Sequence, residues 1–345
     1  MRLLVGTYTE LPEPDEACGL GIVGCRIVDG ALDSVELLAR LSNPSYLAPS
    51  PDGRVFAVSE SLATGGAVTA FAREPGGRLR ALGSCPSGGV GPCHVGVAAG
   101  GRFLVVAHYG SGTVSAIAAG TTAPGPVTAV VEHAELAAAG QEAHAHMAAV
   151  DPVSGLVLVP DLGLDLLLAY RLTERGELVA DERACIVFPT GSGPRHVAFH
   201  ANGRDAFVIT ERANTLVVLR RSASGLVPWH TTSTLREPID TNSAAAAVRV
   251  AAGGRHVFVT NRTAGGGGVA MLRYDDVAGT TRLVQTAASG GVGPRDCWPL
   301  AGGRGLLVAN TEGGSLALLA VDEERETIEL RSSVAVGSPA CVLPG

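Results

Sequence analysis

The chain lacks the cysteine spacing of a zinc site or a disulfide scaffold. Its seven cysteines, at positions 18, 25, 85, 93, 185, 297 and 341, are odd in number, scattered, and never spaced C-x-x-C. That reads as the reduced thiols of a cytosolic protein. No uninterrupted apolar run approaches the ~20 residues a bilayer-crossing helix needs. The opening Met1-Arg2-Leu3-Leu4-Val5-Gly6-Thr7-Tyr8 becomes polar too soon for a signal peptide. A cytoplasmic protein with no membrane partner is therefore expected. A basic surplus is missing as well: the net charge is −7 and the pI is near 5.7, which argues against a nucleic-acid partner. A few local arginines can still bind a small anion in such a chain. Segments of helical period are nearly absent, the one helix-like candidate lying around residues 135–141. That disfavours a parallel-sheet enzyme, which needs helices between its strands.

What the chain has instead is punctuation. Forty-six glycines and 20 prolines among 345 residues, 46% of them hydrophobic, suit many short strands joined by tight turns. A phrase recurs about every 49 residues, a period that signals a repeat architecture. Its instances are Asn43-Pro44-Ser45-Tyr46, Gly91-Pro92-Cys93-His94, His144-Ala145-His146, Gly193-Pro194-Arg195-His196, Asn242-Ser243, Gly293-Pro294-Arg295-Asp296 and Gly337-Ser338-Pro339. Each copy reads as four strands, A to D. In the fourth copy, residues 197–200 give strand A, 206–210 strand B, 215–219 strand C, and the segment from Leu226 onward strand D. Hairpin signals recur between A and B at Asp52-Gly53 and Asn202-Gly203.

Four-stranded units of ~40–50 residues describe an all-β propeller, here of seven antiparallel blades. Residues 3–7 resemble the B strands and 339–343 an A strand. The C-terminal strand should therefore join the N-terminal blade and close the ring, hiding two sheet edges. Although 345 residues would ordinarily suggest two domains, closed all-β folds escape that rule, and one domain over 1–345 is expected.

In such a meander the starts of A and the ends of B face one mouth. The A starts supply His94, His144, His146, Arg195, His196, Arg295 and Asp296. The B ends supply Glu60, His108, Asp161, Glu211, Arg262 and Glu312. Ionisable groups converging from several blades make a pocket, although a ring of charges can also simply solvate a channel. The segments 11–17 and 121–142 should lie on this same face. His144 and His146, two apart, would point the same way on a strand, but nothing fixes a third ligand, so no metal is expected. Ser111 has Tyr109 and Thr113 where a nucleophile elbow needs glycine, and residues 265–268 lack the Gly-Lys-Ser/Thr ending of a phosphate loop.

At these residues the chain resembles the seven-bladed propeller lactonases, which include a bacterial type of 6-phosphogluconolactonase and fungal carboxymuconate cyclases. The resemblance rests on Val5-Gly6-Thr7-Tyr8-Thr9, Asn43-Pro44-Ser45-Tyr46-Leu47, His108-Tyr109-Gly110-Ser111-Gly112, His144-Ala145-His146 and Asp161-Leu162-Gly163. It continues through Gly193-Pro194-Arg195-His196, Asn261-Arg262, Gly293-Pro294-Arg295 and Ala309-Asn310, in family order along the whole chain. It implies a catalytic set of His146, Arg195, Glu211 and Arg262, with no cofactor and a small lactone or carboxylate as substrate.

His146 or Glu211 would take the proton from water. Arg195 and Arg262 would stabilise the oxyanion or hold an anionic group. His94, His108, His144, Asp161, His196 and Arg295 would line the substrate. A cyclase running a lactonising reaction is the second reading, and a binding or scaffold propeller without chemistry the third. Departures from the family pattern fall at Ala143, at His108, at Asp296-Cys297-Trp298 and in the alanine run 244–247. They bear on substrate more than on fold. Oligomeric state leaves no mark in the sequence.

Overall fold

A computed structural model describes residues 2–10, 18–63, 65–236 and 242–345. They form seven antiparallel sheets, six of four strands and one that carries a fifth short strand. These are the blades of an all-β, seven-bladed propeller. Two compact units make up the chain: Met1–Glu36 with Arg195–Gly345, and Leu37–Pro194.

Three blades lie in the second unit. The first has strands Leu47–Pro49, Val55–Ser59, Ala67–Arg73 and Leu79–Pro86; the next has Pro92–Ala98, Phe103–His108, Thr113–Ala118 and Val127–Glu132. The third, irregular blade has Ala149–Val150, Val157–Asp161, Leu166–Leu172 and a D strand broken into Leu178–Ala180 and Ile186–Val187. In the first unit, one blade runs Pro194–Phe199, Asp205–Thr210, Thr215–Ser222 and Gly225–Ser233. It is followed by Ala244–Val250, His256–Thr263, Gly266–Asp275 and Thr280–Ala288, then by Pro294–Pro299, Gly305–Asn310, Ser315–Asp322 and Thr327–Ala335.

The last sheet of the first unit closes the ring. Its strand order is Pro339–Pro344, Arg2–Thr7, Ile22–Val28, Ala31–Ala39. Leu4 pairs with Leu343 and Val5 with Val342, as the resemblance of the two ends to A and B strands requires.

Hydrophobic pattern explains which strand lies where within a blade. The B strands Phe103–His108 and Gly305–Asn310 are buried at every position, because both faces of an inner strand are covered and the sequence runs apolar without alternation. The D strands Gly225–Ser233 and Thr327–Ala335 alternate toward solvent, as one-sided strands do. Prolines open the A strands at Pro92, Pro194, Pro294 and Pro339, where the first residue of a strand tolerates a missing N–H donor. The A–B turns use glycine at positive φ, 85° at Gly53 and 68° at Gly203, conformations that cost other residues strain.

Two expectations about connections change. The helix-like stretch 135–141 contributes only a 3₁₀ turn, Ala134–Leu136; its apolar residues are alanines and one leucine, too little to anchor a helix face. The segment 121–142 is not one insertion. Residues 121–126 are the C–D connection, Val127–Glu132 is strand D, and residues 133–142 lead to the next A start. The C–D part therefore lies at the end of the blade opposite to the A starts. The segment 11–17 lies outside the described residues.

Candidate functional site

In the first unit, three of the expected residues meet around one carboxylate. Arg195 is the second residue of Pro194–Phe199, Glu211 follows directly on Asp205–Thr210, and Arg262 is near the end of His256–Thr263. Arg195 Nε lies 2.9 Å from Glu211 Oε2, and Arg262 Nη2 lies 2.9 Å from that same oxygen. The Arg195 side chain is only 1% exposed, whereas Glu211 and Arg262 keep 21% and 23% of their side-chain surface. Two guanidiniums against one carboxylate leave a surplus of positive charge at a partly open position.

The backbone that receives these arginines is specialised. The ladder between Ala244–Val250 and His256–Thr263 shifts register between Ala245 and Val248, a bulge that frees main-chain groups. The N–H of Ala247 donates to Thr260 Oγ1 at 2.9 Å, and Ala246 O accepts a hydrogen bond from Arg195 Nη1. Arg262 Nε donates to Ala244 O at 3.4 Å, and the amide of Ala245 donates to Glu211 O at 3.0 Å. The alanine run 244–247 therefore has a physical role. Its side chains are short where two guanidiniums approach the strand, and its carbonyls hold them. His196 Nε2 lies 3.3 Å from Arg195 Nη1 and belongs to the same cluster. The guanidinium of Arg295 lies 5.5 Å from the centre of the Tyr8 ring. Its neighbour Asp296 is committed to Arg249 at 2.8 Å and to the amides of Cys297 and Val342.

The second unit holds the histidine group. Segment 144–146 is not a strand; only Ala145 bridges to Asp161. The His144 ring stacks on Tyr109 with centroids 4.4 Å apart, and its Nδ1 is 2.9 Å from Tyr109 O. His146 presents its ring to Tyr109 at 74°, 5.7 Å between centroids, with Nδ1 4.0 Å from Cys93 Sγ. His94 packs against Tyr46 at 4.1 Å, and its Nδ1 accepts the Ala148 amide at 3.3 Å.

Two expected substrate contacts are corrected. His108 and Asp161 have no accessible surface, so neither can line a substrate. His108 Nδ1 is 3.2 Å from Thr113 O, and burial lowers its pKa to about 4, the direction expected when a cation would have to form away from water. Asp161 is saturated from within: His133 Nδ1 lies 2.8 Å from Oδ2, and the amides of His144, Gly163 and Leu164 donate to Oδ1. The B ends of these blades thus serve packing, while the B end at Glu211 serves the charged cluster.

Sequence reasoning missed the groups that hold these segments in place. His133 connects Asp161 to Tyr170. Asp165, at φ 58°, accepts the amides of Gly191 and Gly193 at 2.6 and 2.7 Å, just ahead of Arg195. The second had a signal, since an Asp in a short turn between apolar strands readily takes left-handed backbone and caps nearby amides. His133 had none, because its partners lie 28 and 37 residues away. Among the described residues, no three His, Cys, Asp or Glu side chains are grouped as metal ligands would be.

The profile of a lactonase family described as a 7-bladed β-propeller matches residues 2–344. The 6-phosphogluconolactonase of Bacillus subtilis is 30% identical over 322 residues, covering 90% of each chain. The solved periplasmic gluconolactonase of Pseudomonas aeruginosa superposes with a TM-score of 0.90 at 29% identity, covering 99% of this chain and 98% of its own. A protein from Lactobacillus plantarum, at 24% identity and TM-score 0.87 over 99% of this chain and 98% of its own, shares the fold.

Proposed function

The chain belongs to the seven-bladed β-propeller lactonase family, and we propose that it hydrolyses a small, anionic, sugar-derived lactone. The observation that carries this reading is Glu211, held at 2.9 Å by both Arg195 and Arg262 on one oxygen. A carboxylate so fixed can take a proton from a water molecule without reorientation. The excess positive charge beside it suits the oxyanion of a tetrahedral intermediate and an acidic substituent on the substrate.

In this reading water adds to the lactone carbonyl, its proton passes to Glu211, and the ring C–O bond breaks as the leaving alkoxide is protonated. Arg262, the more exposed of the two arginines, faces the developing charge. Arg195 is nearly sealed and acts by holding Glu211. The protonated Glu211 can return its proton to the alkoxide, and His146 enters through the family resemblance as a member of the catalytic set. All 26 basic Lys+Arg side chains are arginine, so no lysine is available for an imine mechanism, and water activation is the simpler chemistry. That the relatives carry gluconolactonase and 6-phosphogluconolactonase names supports a sugar lactone, with or without phosphate.

The test is acid release from gluconolactone, its 6-phosphate and a muconolactone, measured by pH indicator with wild type and the Arg195→Ala, Glu211→Ala, Arg262→Ala and His146→Ala variants. Turnover of a sugar lactone that is lost in the folded Glu211 and Arg262 variants is expected. Absence of turnover on all three substrates by the wild type would overturn the reading.

A further inference from the structure

We propose that His133 is a positioning residue for the segment that carries His144 and His146; the proposal rests on the lactonase reading for the role of His146. His133 has no accessible surface and stands between two buried partners. Tyr170 Oη is 2.9 Å from His133 Nε2, with the two rings nearly parallel, and His133 Nδ1 is 2.8 Å from Asp161 Oδ2. A carboxylate only accepts, so Nδ1 carries the proton and donates it to Asp161. In the neutral imidazole Nε2 then accepts from the tyrosine hydroxyl. Burial holds the Tyr170 phenol well above the usual tyrosine range, with the nearby Cys185 and Asp161 adding to the shift. Tyr170 therefore stays a donor, and the chain of bonds has one direction.

The far end of that chain is the backbone of the histidine segment. Asp161 Oδ1 accepts the amide of His144 at 2.8 Å and those of Gly163 and Leu164 at 3.1 Å each. Between the 3₁₀ turn at Ala134–Leu136 and the strand at Ala149–Val150, no regular strand supports the chain. Its other ties to the neighbouring strand are the Ala145–Asp161 bridge, the Leu162 amide to His144 O at 2.9 Å, and the His146 amide to Pro160 O at 3.0 Å. These ties cluster on Asp161 and its neighbours, beside the contacts of Cys93 Sγ with Ala145 O and His146 O, so the setting of this carboxylate is transmitted to the His144 and His146 rings packed on Tyr109. His133 fixes that setting by occupying Oδ2, as the outer partner of an orienting carboxylate does.

The experiment uses the full chain labelled with 15N histidine. In wild type, His133 should show the Nδ1–H tautomer. His133→Ala should shift the ring resonances of His144 and His146 and lower kcat by roughly tenfold to a hundredfold, as small misplacements do. His133→Asn, whose side-chain amide can replace the Nδ1–H donor, should restore kcat to within about threefold of wild type. Tyr170→Phe keeps the packing and should shift the His133 ring resonances if the alanine variant does not fold. Unmoved His144 and His146 resonances in His133→Ala, or an asparagine variant as slow as the alanine one, would overturn the proposal. If wild type hydrolyses no lactone, the lactonase reading fails by itself, and the resonances still decide the positioning role.

Discussion

Glu211→Gln is the sharpest perturbation of the charged cluster, because it keeps the shape and removes the charge. In the wild type both arginines lie 2.9 Å from Glu211 Oε2, and Arg195 is 1% exposed. Opposite charges at about 4 Å attract by ~4 kcal/mol at an effective dielectric of 20, most of which desolvation offsets. Removing one partner of a buried pair costs about 3–5 kcal/mol, because the other charge stays behind unpaired. The partial exposure of Glu211 and Arg262 places this site at the low end, about 3 kcal/mol. With an unfolding entropy of about 2.1 cal/mol/K per residue, a chain of this length should lose about 4 °C of melting temperature. Thermal melting by circular dichroism reads the stability, and lactone turnover at a temperature where the variant is folded reads the chemistry. Arg262→Ala introduced on top of Glu211→Gln should cost at least ~1 kcal/mol less than in wild type, since the two residues form one ion pair. A Glu211→Gln protein that melts within 1 °C of wild type and turns over lactone at the wild-type rate would refute the reasoning.

The remaining expectations concern the supports of the site. His108 has a folded pKa lowered to about 4 from 6.5 by burial. The unfolded chain therefore binds a proton between these values that the folded chain refuses. This penalty is absent above pH 6.5, grows as pH falls, and reaches about 3 kcal/mol below pH 4; His108→Asn should flatten that part of the stability–pH curve, and parallel curves would contradict it. Gly89→Ala would put a Cβ 2.5 Å from Thr113 Oγ1 and 2.6 Å from His108 Cγ, so denaturant titration should show a loss of about 1–3 kcal/mol. Asp165→Ala leaves the amides of Gly191 and Gly193 without their 2.6 and 2.7 Å acceptors and places alanine at φ 58°. It should destabilise by at least about 2 kcal/mol, with Asp165→Asn milder; amide exchange at residues 191 and 193 unchanged in the alanine variant would contradict it.

Much of the fold was legible because its causes are local. Asp52-Gly53 and Asn202-Gly203 make turns for steric reasons carried by two residues. The apolar continuity of Phe103–His108 and Gly305–Asn310 marks an inner strand wherever it occurs. The half-exposed D strand Val127–Glu132 lacks the continuous apolar run of an inner strand, and its pairing with Thr113–Ala118 holds it in place. Of the candidate site, type and phrase position alone single out Glu211, Arg195 and Arg262. Their common use of Oε2, and the bulge at Ala246 that receives Arg195, depend on the register between Ala244–Val250 and His256–Thr263.

By itself the sequence determined the blade count, the strand order within each blade and the closure by Pro339–Pro344, since spacing and hydrophobic period are properties of the chain alone. Only the tertiary structure decided which polar residues are open and which are sealed. His108 and Asp161 end their B strands and are wholly buried, as is the matching Thr210, whereas Glu211 stands one residue further along and is partly open. The reason is physical: burial and hydrogen-bond partners come from residues tens of positions away, and no property of a single position records them.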